Sequence, residues 1–268
     1  MDTRTSEMNI EFSVLVAVYN GEQYIDRCMQ SILVQTYKPS EIVCVDDGST
    51  DTAYDKLIQW QKNSTIPIVV IRNEQNIGLT KSLVLGLTKT SYPYIARIDA
   101  DDIWAAEKLE LQAEYLQSHP ECGIVGCWYE NVYPHTKRVF RLPVTNNEIK
   151  KTMFQRNPFG HSCVVFRKDI VGHAGGYDSN IKYGQDRDLW FRLFPHTNMY
   201  NIPRILCSRN AVDTISIHKS REQMMQGIRT RIKYICLYHA PIKNYLYLLE
   251  PIAIMLTPRI IKNIFSGR

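Results

Sequence analysis

The chain has 268 residues, of which 44% are hydrophobic and 22% are charged, and this composition excludes a disordered chain, a collagen-like repeat and a low-complexity fibre. Seven cysteines without CxxC spacing exclude a small disulfide scaffold and indicate buried free thiols. The net charge is +5, but residues 219–268 hold nine Lys and Arg against two Glu, which leaves a net charge of −2 on residues 1–218.

The first 120 residues alternate short apolar runs with longer amphipathic segments. Near-continuous apolar runs are typical of strands that are buried on both faces of a sheet. Helical segments of 10–15 residues between such strands predict βαβ units and a parallel sheet. The predicted strands are 13–18, 41–45, 66–71 and 94–98, and the predicted helices are 23–35, 51–62, 80–88 and 105–117.

The pattern changes after about residue 120, where Gly, Pro and Asn separate the elements. Further strands are predicted at 122–127 and 161–166, and a short helix includes residues 189–193. From Arg221 onward the sequence predicts helix, with one apolar stripe. We therefore expect a core domain at 1–218, in halves of about 12–120 and 121–218, and a helical basic tail at 219–268. The residues of the stripe are Met224, Ile228, Ile232 and Ile235.

Acidic side chains follow the fourth predicted strand, at the end where parallel sheets bind ligands. The carboxylates of Asp99, Asp101 and Asp102 repel one another unless a cation lies among them, and Mg²⁺ or Mn²⁺ prefers such oxygens. In an extended segment, Arg97 shares one face with Asp99 and Asp101. Asp102 then points elsewhere and is available to cap the next helix. The alternative is a solvated acidic turn.

A second acidic turn, residues 46–51, follows the second predicted strand. Its Asp-Gly pair favours a turn, and its Ser, Thr and Asp residues favour a helix cap. In a ligand site, one of its carboxylates would instead accept a hydrogen bond from a base or a ribose.

A third acidic segment begins the helix near residue 190. Asp186 shares a helix face with Leu189, Trp190 and Leu193, whereas Asp188 lies on another face. Burial at the edge of an apolar face raises the pKa of a carboxyl group, which makes Asp186 a candidate general base. The alternative is an Asp that only favours the helix N-terminus.

These motifs, in this order, resemble family 2 glycosyltransferases with the GT-A fold, of the bacterial polysaccharide type. The resemblance covers about residues 12–193. Gln185-Asp186 stands where the family has an acidic pair, a difference that leaves the expected base in place. The matching segments are Val16-Ala17-Val18-Tyr19-Asn20, residues 45–51, Asn76-Ile77-Gly78-Leu79, residues 96–102, Glu107-Lys108-Leu109 with Gln112, Gly175-Gly176-Tyr177-Asp178 and residues 185–190.

The resemblance implies an α/β fold with a mostly parallel sheet flanked by helices, in which residues 12–120 bind a nucleotide-sugar and residues 121–218 bind the acceptor. It implies an inverting transfer from a nucleotide-diphospho-sugar, here expected to be a UDP-sugar. Asp101 would bind Mn²⁺ or Mg²⁺, Asp99 would lie near the metal or the ribose, and Asp186 would deprotonate the acceptor hydroxyl. The donor-binding residues implied are Val18, Tyr19, Asn20, Glu22, Asp46, Asp47, Arg72, Asn76, Gly78, Arg97 and Asp99.

Other candidates keep alternatives open. His161 either contacts the pyrophosphate or metal or is a hydrogen-bonded structural histidine. His218 is a candidate to cover the diphosphate or to bind the metal. Trp190 is expected on the acceptor side, with Gly176 and Tyr177, or else in the core.

The C-terminal tail combines apolar runs with basic residues, which predicts contact with an anionic surface, either lipid or nucleic acid. The apolar runs favour a segment that lies on an anionic membrane, without nucleic acid, and a helix packed on the core is the alternative. A lipid-linked acceptor, such as an undecaprenyl-diphosphate saccharide in O-antigen or capsule synthesis, would explain membrane contact. With no signal-like N-terminus and no apolar run of about 18 residues, we expect a cytoplasmic protein, peripheral on the inner face of the plasma membrane.

Two other functions fit parts of the sequence. A sugar nucleotidyltransferase also uses carboxylates and Mg²⁺, but it would need a Gly-rich basic loop after the first strand, where this chain has Tyr19-Asn20-Gly21-Glu22. A non-catalytic protein that binds nucleotide-sugars is the second alternative. A dehydrogenase is disfavoured because no GxGxxG follows a strand.

Overall fold

A computed structural model describes residues 10–212 and 221–256. Its first half confirms the four predicted strands and the helices between them. The strands lie parallel in the order β3-β2-β1-β4, and β1 and β2 are buried along their whole length. The elements are β1 (Phe12–Val18), α1 (Ile25–Leu33), β2 (Glu41–Asp46), α2 (Ala53–Asn63), β3 (Ile68–Arg72), α3 (Leu79–Lys89) and β4 (Tyr94–Asp99).

The second half extends the same sheet in the order β4-β8-β6-β9-β5, with β7 paired to β6. Strand β8 is antiparallel to both its neighbours, whereas β6 and β9 are parallel. The elements are β5 (Ile103–Trp104), α4 (Lys108–Ser118), β6 (Cys122–Val132), β7 (Lys137–Phe140), α5 (Asn146–Thr152), a 3-10 turn (His161–Cys163), β8 (Val165–Arg167), α6 (Lys168–His173), α7 (Gln185–Leu193) and β9 (Asn198–Asn210).

The predicted strand at 161–166 is wrong in its first half. His161–Cys163 forms a 3-10 turn, and the strand begins only at Val165. The Cys163 N–H donates to the carbonyl oxygen of Gly160 (3.0 Å), which closes the turn. This turn places the side chain of Ser162 beside the end of β4.

The C-terminal part is helical, as predicted. It consists of α8 (Arg221–Leu237), a 3-10 segment (Ile242–Leu248) and α9 (Leu249–Leu256). Met224, Ile228 and Ile235 are buried, but Ile232 is 40% exposed because Tyr234, on the other side of the stripe, packs inward on α7. None of the helices in the described part of the chain combines the length and the apolar character that crossing a membrane requires.

The sheet separates two hydrophobic clusters. Alternate residues of β1 point to opposite faces, so that Val14 and Val16 pack with α1, α2 and α4, whereas Leu15 and Ala17 pack with α3, α7 and α8. Six of the seven cysteines are buried and all seven are free, which confirms the expected thiols, and Cys236 is exposed.

Candidate active site

The parallel register brings the polar ends of three strands together. Val18 of β1 lies opposite Asp46 of β2, and Ala17 lies opposite Asp99 of β4. Asp46 in turn lies opposite Arg72, the last residue of β3. The sheet therefore lines up the residues that the sequence analysis assigned to the nucleotide-sugar.

The acidic cluster after β4 is one group of three carboxylates. Asp99, Asp101 and Asp102 each have an oxygen within 4.8 Å of the others. The expectation that Asp102 points elsewhere is wrong, because the chain turns at 100–101 and the Asp102 N–H donates to the Asp99 carbonyl (3.1 Å). Asp102 does not cap α4 either, whose N-cap residue is Glu107.

Arg97, which was expected to assist the donor, lies within the protein beside the acidic cluster, and its role toward the donor stays a prediction. Its side chain is fully buried, and its guanidinium donates to Asp99 and to the Ser162 hydroxyl (3.3 Å). The Ser162 hydroxyl also donates to Asp99 Oδ2 and accepts the Asp99 N–H, both at 3.0 Å. Arg97 and Ser162 therefore fix the position of the Asp99 carboxylate.

Strand β9 closes the other side of the cluster. The Asn210 N–H donates to Asp102 Oδ1 (2.9 Å), and Arg209 Nε lies 3.5 Å from Asp102 Oδ2. Arg209 also stacks over the Tyr129 ring, with 5.0 Å between its Cζ and the ring centre. Two cations, Arg97 and Arg209, thus partly offset three neighbouring carboxylates.

Burial and the remaining negative charge change the pKa values of the three clustered aspartates. Burial, and then the charge of Asp99, raises the pKa of Asp101 to about 6. The same two causes raise the pKa of Asp102 well above its ordinary value. Burial also opposes ionisation of Asp99, but the charge and hydrogen bond of Arg97 hold its pKa below the ordinary range. Asp101 and Asp102 therefore resist ionisation beside an ionised Asp99, and a hard divalent cation would stabilise all three as carboxylates.

The loops after β1 and β2 are joined by reciprocal hydrogen bonds. Asn20 Oδ1 accepts the Thr50 N–H (2.9 Å), and the Asn20 N–H donates to the Ser49 hydroxyl (3.0 Å). Glu22 Oε2 accepts the N–H (3.1 Å) and the hydroxyl (2.8 Å) of Thr52. Asn20 and Glu22 therefore shape the loops, Val18 is buried, and Tyr19 is exposed at the edge.

Asp46 and Asp47 have different surroundings. The Asp47 carboxylate accepts hydrogen bonds from Asn73 Nδ2 (2.8 Å) and from the N–H groups of Ile77 and Gly78 (both 2.9 Å). Asp46 Oδ2 accepts the Ser49 N–H (3.2 Å), but its buried Oδ1 has no partner among the described residues.

A cleft of about 590 Å³ lies beside these aspartates, lined by residues 48–51 and 72–74. Gly48 has φ +72°, and a Cβ there would lie 2.5 Å from the Gln75 backbone, so only glycine fits. Arg72 stacks over the Tyr54 ring (4.4 Å) and donates to the Ser49 carbonyl (3.1 Å). The structure thus places Arg72 at the cleft, with Asn76 exposed nearby and Gly78 held by Asp47.

Helix α7 separates its two aspartates in a way that the sequence did not predict. Asp186 is half-buried, and its Oδ2 accepts a hydrogen bond from Asn157 Nδ2 (2.6 Å). Asp188 is buried and accepts from Tyr234 Oη and Arg192 Nε, both at 2.8 Å. Asp188 lies on another face of α7 than Asp186, and because α8 covers that face, Asp188 is the more buried of the two.

The charges of Asp186 and of Asp99 both act on one buried residue, Tyr177. Burial raises the pKa of the Tyr177 hydroxyl, and the charges of Asp186 and Asp99 raise it further, although Arg97 opposes them. His161 Nε2 is 2.8 Å from the Tyr177 hydroxyl, and burial lowers the pKa of this histidine well below its ordinary value. His161 is therefore the hydrogen-bonded structural histidine of the two alternatives.

The other acceptor-side candidates have mixed positions. Trp190 is fully buried in the core, where it packs on Phe159 and Phe166, so the core alternative holds for it. Gly176 follows α6 with φ +66°. His218 lies outside the described residues.

Sequence reasoning missed Ser162, Arg209 and Asn157. Ser162 follows the singled-out His161 directly. Arg209 and Asn210 follow the buried pair Leu206 and Cys207, a short strand-like signal that could have located them. Asn157 carries no local signal, because its role depends on Asp186, 29 residues later.

Comparisons with known proteins identify the same family that the sequence motifs resemble. The family model described as "Glycosyl transferase family 2" matches residues 13–173. The amylovoran biosynthesis glycosyltransferase AmsE of Erwinia amylovora is 38% identical over 73% of this chain and 74% of its own. The UDP-Gal:alpha-D-GlcNAc-diphosphoundecaprenol beta-1,3-galactosyltransferase of Escherichia coli is 28% identical over 88% of this chain and 85% of its own.

Solved structures share the fold. TarS residues 1–349 of S. aureus, in complex with UDP, has a TM-score of 0.68 at 19% identity and covers 84% of this chain, which in turn spans 65% of that chain. The mannosyltransferase PcManGT of Pyrobaculum calidifontis, in complex with GDP-Man and Mn²⁺, has a TM-score of 0.63 at 16% identity, over 92% of this chain and 71% of its own. The expected GT-A architecture is confirmed.

Proposed function

Because the chain belongs to glycosyl transferase family 2, we propose that it moves a sugar from a UDP-sugar to a lipid-linked saccharide in bacterial surface polysaccharide synthesis. The observation that carries the proposal is the arrangement at one sheet edge. There, three clustered carboxylates follow β4, and Asp46, whose buried Oδ1 has no partner among the described residues, lies just before residues 48–51 of the cleft wall. Asp186, on α7, is half-buried and held by Asn157. The family match argues against the alternative that the protein is a sugar nucleotidyltransferase.

Two features near the cleft suit a nucleotide donor: the unpartnered oxygen of Asp46 and the stacked pair of Tyr54 and Arg72. Asp46 Oδ1 is a buried acceptor, which suits an imide N–H of a pyrimidine base. Tyr54 and Arg72 form a stacked pair at the cleft wall and offer a flat surface and a positive charge to the nucleotide. The UDP and UDP-GlcNAc complexes of TarS and the UDP-Gal in the name of the E. coli relative support a uridine donor.

The acidic cluster fits a divalent cation, Mn²⁺ or Mg²⁺, which PcManGT binds as Mn²⁺. Asp101 and Asp102 would hold it, with Asp99 oriented by Arg97 and Ser162. When bound, the ion supplies positive charge that neutralises the diphosphate of the leaving nucleotide. Arg209 balances part of the negative charge of the cluster from β9.

Asp186 is the proposed general base. Asn157 donates to Oδ2 and leaves Oδ1 to accept the proton of the acceptor hydroxyl. The acceptor oxygen then bonds to the anomeric carbon of the donor as the bond from that carbon to the diphosphate breaks and its electron pair leaves with the nucleotide. One displacement at one carbon inverts its configuration.

The decisive experiment incubates the full chain with UDP-sugars and a synthetic GlcNAc-diphospho-alkyl acceptor in Mn²⁺. We expect a disaccharide product of inverted anomeric configuration by NMR, no product in EDTA, and no product from Asp101→Ala. Retained configuration, or near-full turnover of Asp101→Ala in EDTA, would overturn the mechanism.

We also propose that the C-terminal segment rests on the inner face of the plasma membrane. It presents an apolar edge in which Ile242 is 85% exposed and Leu246 and Leu249 are largely exposed, with Lys243 beside them. Large exposed apolar groups flanked by basic residues favour the surface of an anionic bilayer.

The membrane proposal is tested by co-sedimentation with phosphatidylglycerol vesicles. The variant Ile242→Asn/Leu246→Asn should stay in the supernatant, whereas Val34→Asn, at an exposed apolar residue after α1, should sediment like the wild type. High salt should weaken binding of the wild type. Equal sedimentation of both variants would contradict the proposal.

A further inference from the structure

A second cavity lies apart from the nucleotide cleft, on the acceptor half of the chain. Its volume is about 430 Å³, and residues 141–144 form one wall. The other wall consists of Glu148, Lys151 and Thr152 of α5 and of Arg156 after it. None of these residues has a role in the proposed donor site.

The cavity carries excess positive charge. Arg141, Lys151 and Arg156 are exposed, and no salt bridge of theirs occurs among the described residues. The one carboxylate in the lining, Glu148, accepts the N–H groups of Thr145 and Val144 (both 3.0 Å). These bonds lower the pKa of Glu148, and the charge of Lys151 lowers it a little further, so Glu148 offsets part of the positive charge of the cavity.

The walls of the cavity are fixed by buried or partly buried hydrogen bonds to the rest of the fold. Trp128 Nε1 donates to the Leu142 carbonyl (2.9 Å), and Asn201 Nδ2 donates to the Pro143 carbonyl (2.7 Å). On the opposite side, Arg187 of α7 donates to the Met153 carbonyl (2.6 Å). The basic side chains therefore project from a rigid frame, which lowers the cost of holding a ligand.

The same segment leads directly to the proposed base. Arg156 precedes Asn157, whose amide donates to Asp186 Oδ2. The cavity wall and the residue that orients the base therefore belong to one continuous segment of the chain. The nucleotide cleft, in contrast, is lined by residues 48–51 and 72–74.

We propose that this basic cavity binds the diphosphate of the acceptor, an inference that rests on the proposed function. Several cations around one pocket suit a diphosphate, and arginine can bind phosphate oxygens in a bidentate manner. With the diphosphate in the cavity, the first acceptor sugar extends toward Asp186. The cavity then selects acceptors that are linked through a diphosphate and orients their sugar.

A binding experiment tests the cavity without any glycosyl transfer. Calorimetry measures inorganic pyrophosphate binding to the full chain in EDTA, where the acidic cluster repels anions. Lys151→Gln/Arg156→Gln should weaken binding about tenfold or more, because each change removes a charged hydrogen-bond donor. The matched control Lys62→Gln/Lys89→Gln removes the same charge from exposed positions in the last turns of α2 and α3. Equal affinity in the two double variants would overturn the assignment.

A kinetic experiment distinguishes the lipid diphosphate from a free anion. Transfer is measured to a GlcNAc-diphospho-alkyl acceptor and to the neutral alkyl glycoside of the same sugar. Lys151→Gln/Arg156→Gln should raise KM for the first acceptor about tenfold or more and leave KM for the second unchanged. An equal change with both acceptors, or none with either, would refute acceptor recognition even if pyrophosphate binds. If the wild type transfers sugar to neither acceptor but the pyrophosphate result stands, the proposed glycosyltransferase function is refuted. The assignment of the cavity as a diphosphate-binding site is then not refuted.

Discussion

The two aspartates of α7 give opposite predictions for activity and stability. Asp186→Asn removes the proton acceptor, and we expect turnover to fall about 10²–10⁴-fold. Its carboxylate accepts one hydrogen bond, from Asn157, and is half-buried, so the free energy of unfolding should change by less than about 1 kcal/mol. UDP affinity should also stay unchanged.

Asp188→Asn should mainly reduce stability. The buried carboxylate accepts from Tyr234 and Arg192, and Lys233 lies 3.4 Å away but is exposed and adds little. Losing two charge-assisted bonds at a buried site costs roughly 3 kcal/mol. For a chain of this size that lowers the melting temperature by about 6–12 °C. The folded fraction should keep turnover within about tenfold of the wild type.

The assay compares urea unfolding and single-turnover transfer for both variants at pH 7.5. Tyr234→Phe provides the matched control, because it removes the same bond from the α8 side. Its stability loss should not add to that of Asp188→Asn. A stable but inactive Asp188→Asn, together with an active Asp186→Asn, would refute the assignment of the base.

Three further outcomes are expected. In EDTA, Asp101→Asn should gain stability over the wild type as the pH rises from about 4 to 7, by on the order of 2 kcal/mol. The reason is that the pKa of Asp101 is about 6 in the folded chain and about 3.9 in the unfolded chain, so the wild type ionises this partly buried group at a cost. Mn²⁺ should raise the melting temperature of the wild type and not that of Asp101→Asn, and a metal response in the variant would contradict the cluster assignment. Asp47→Ala should speed hydrogen exchange at Ile77 and Gly78, since their N–H groups lose their acceptor; unchanged exchange would show that Asp47 does not hold this loop.

The parts of the fold and site that the sequence predicted depend on local patterns. Strands β1 to β4 are short apolar runs, and the parallel topology places their carboxyl ends at one edge, which located Asp46, Asp99 and Asp101. Asp186 was selected as the proposed base from its place on an apolar helix face, and its role stays a prediction.

The parts that failed depend on distant partners. The fully buried position of Arg97 results from Ser162, 65 residues later, and Asp102 is held by Asn210, 108 residues later. Asp188 turns inward because a helix from the C-terminal part covers it. No periodicity within ten residues carries such contacts, so the pairing of Arg209 with Asp102 was not predicted.

The stacking of α8 on α7 has a consequence for the size of the acceptor. Tyr234 stacks on Phe191 (4.6 Å), Tyr238 stacks on Phe194 (5.3 Å), and the Tyr238 hydroxyl donates to the Phe191 carbonyl (2.6 Å). The exposed Ile242 follows only four residues after Tyr238, a span of at most about 14 Å. If that edge meets the bilayer, the helix that carries Asp186 is held at a short and fixed height above the lipid headgroups. Acceptors with one or a few sugars would present their hydroxyl at this height, whereas the growing end of a long glycan would lie beyond it.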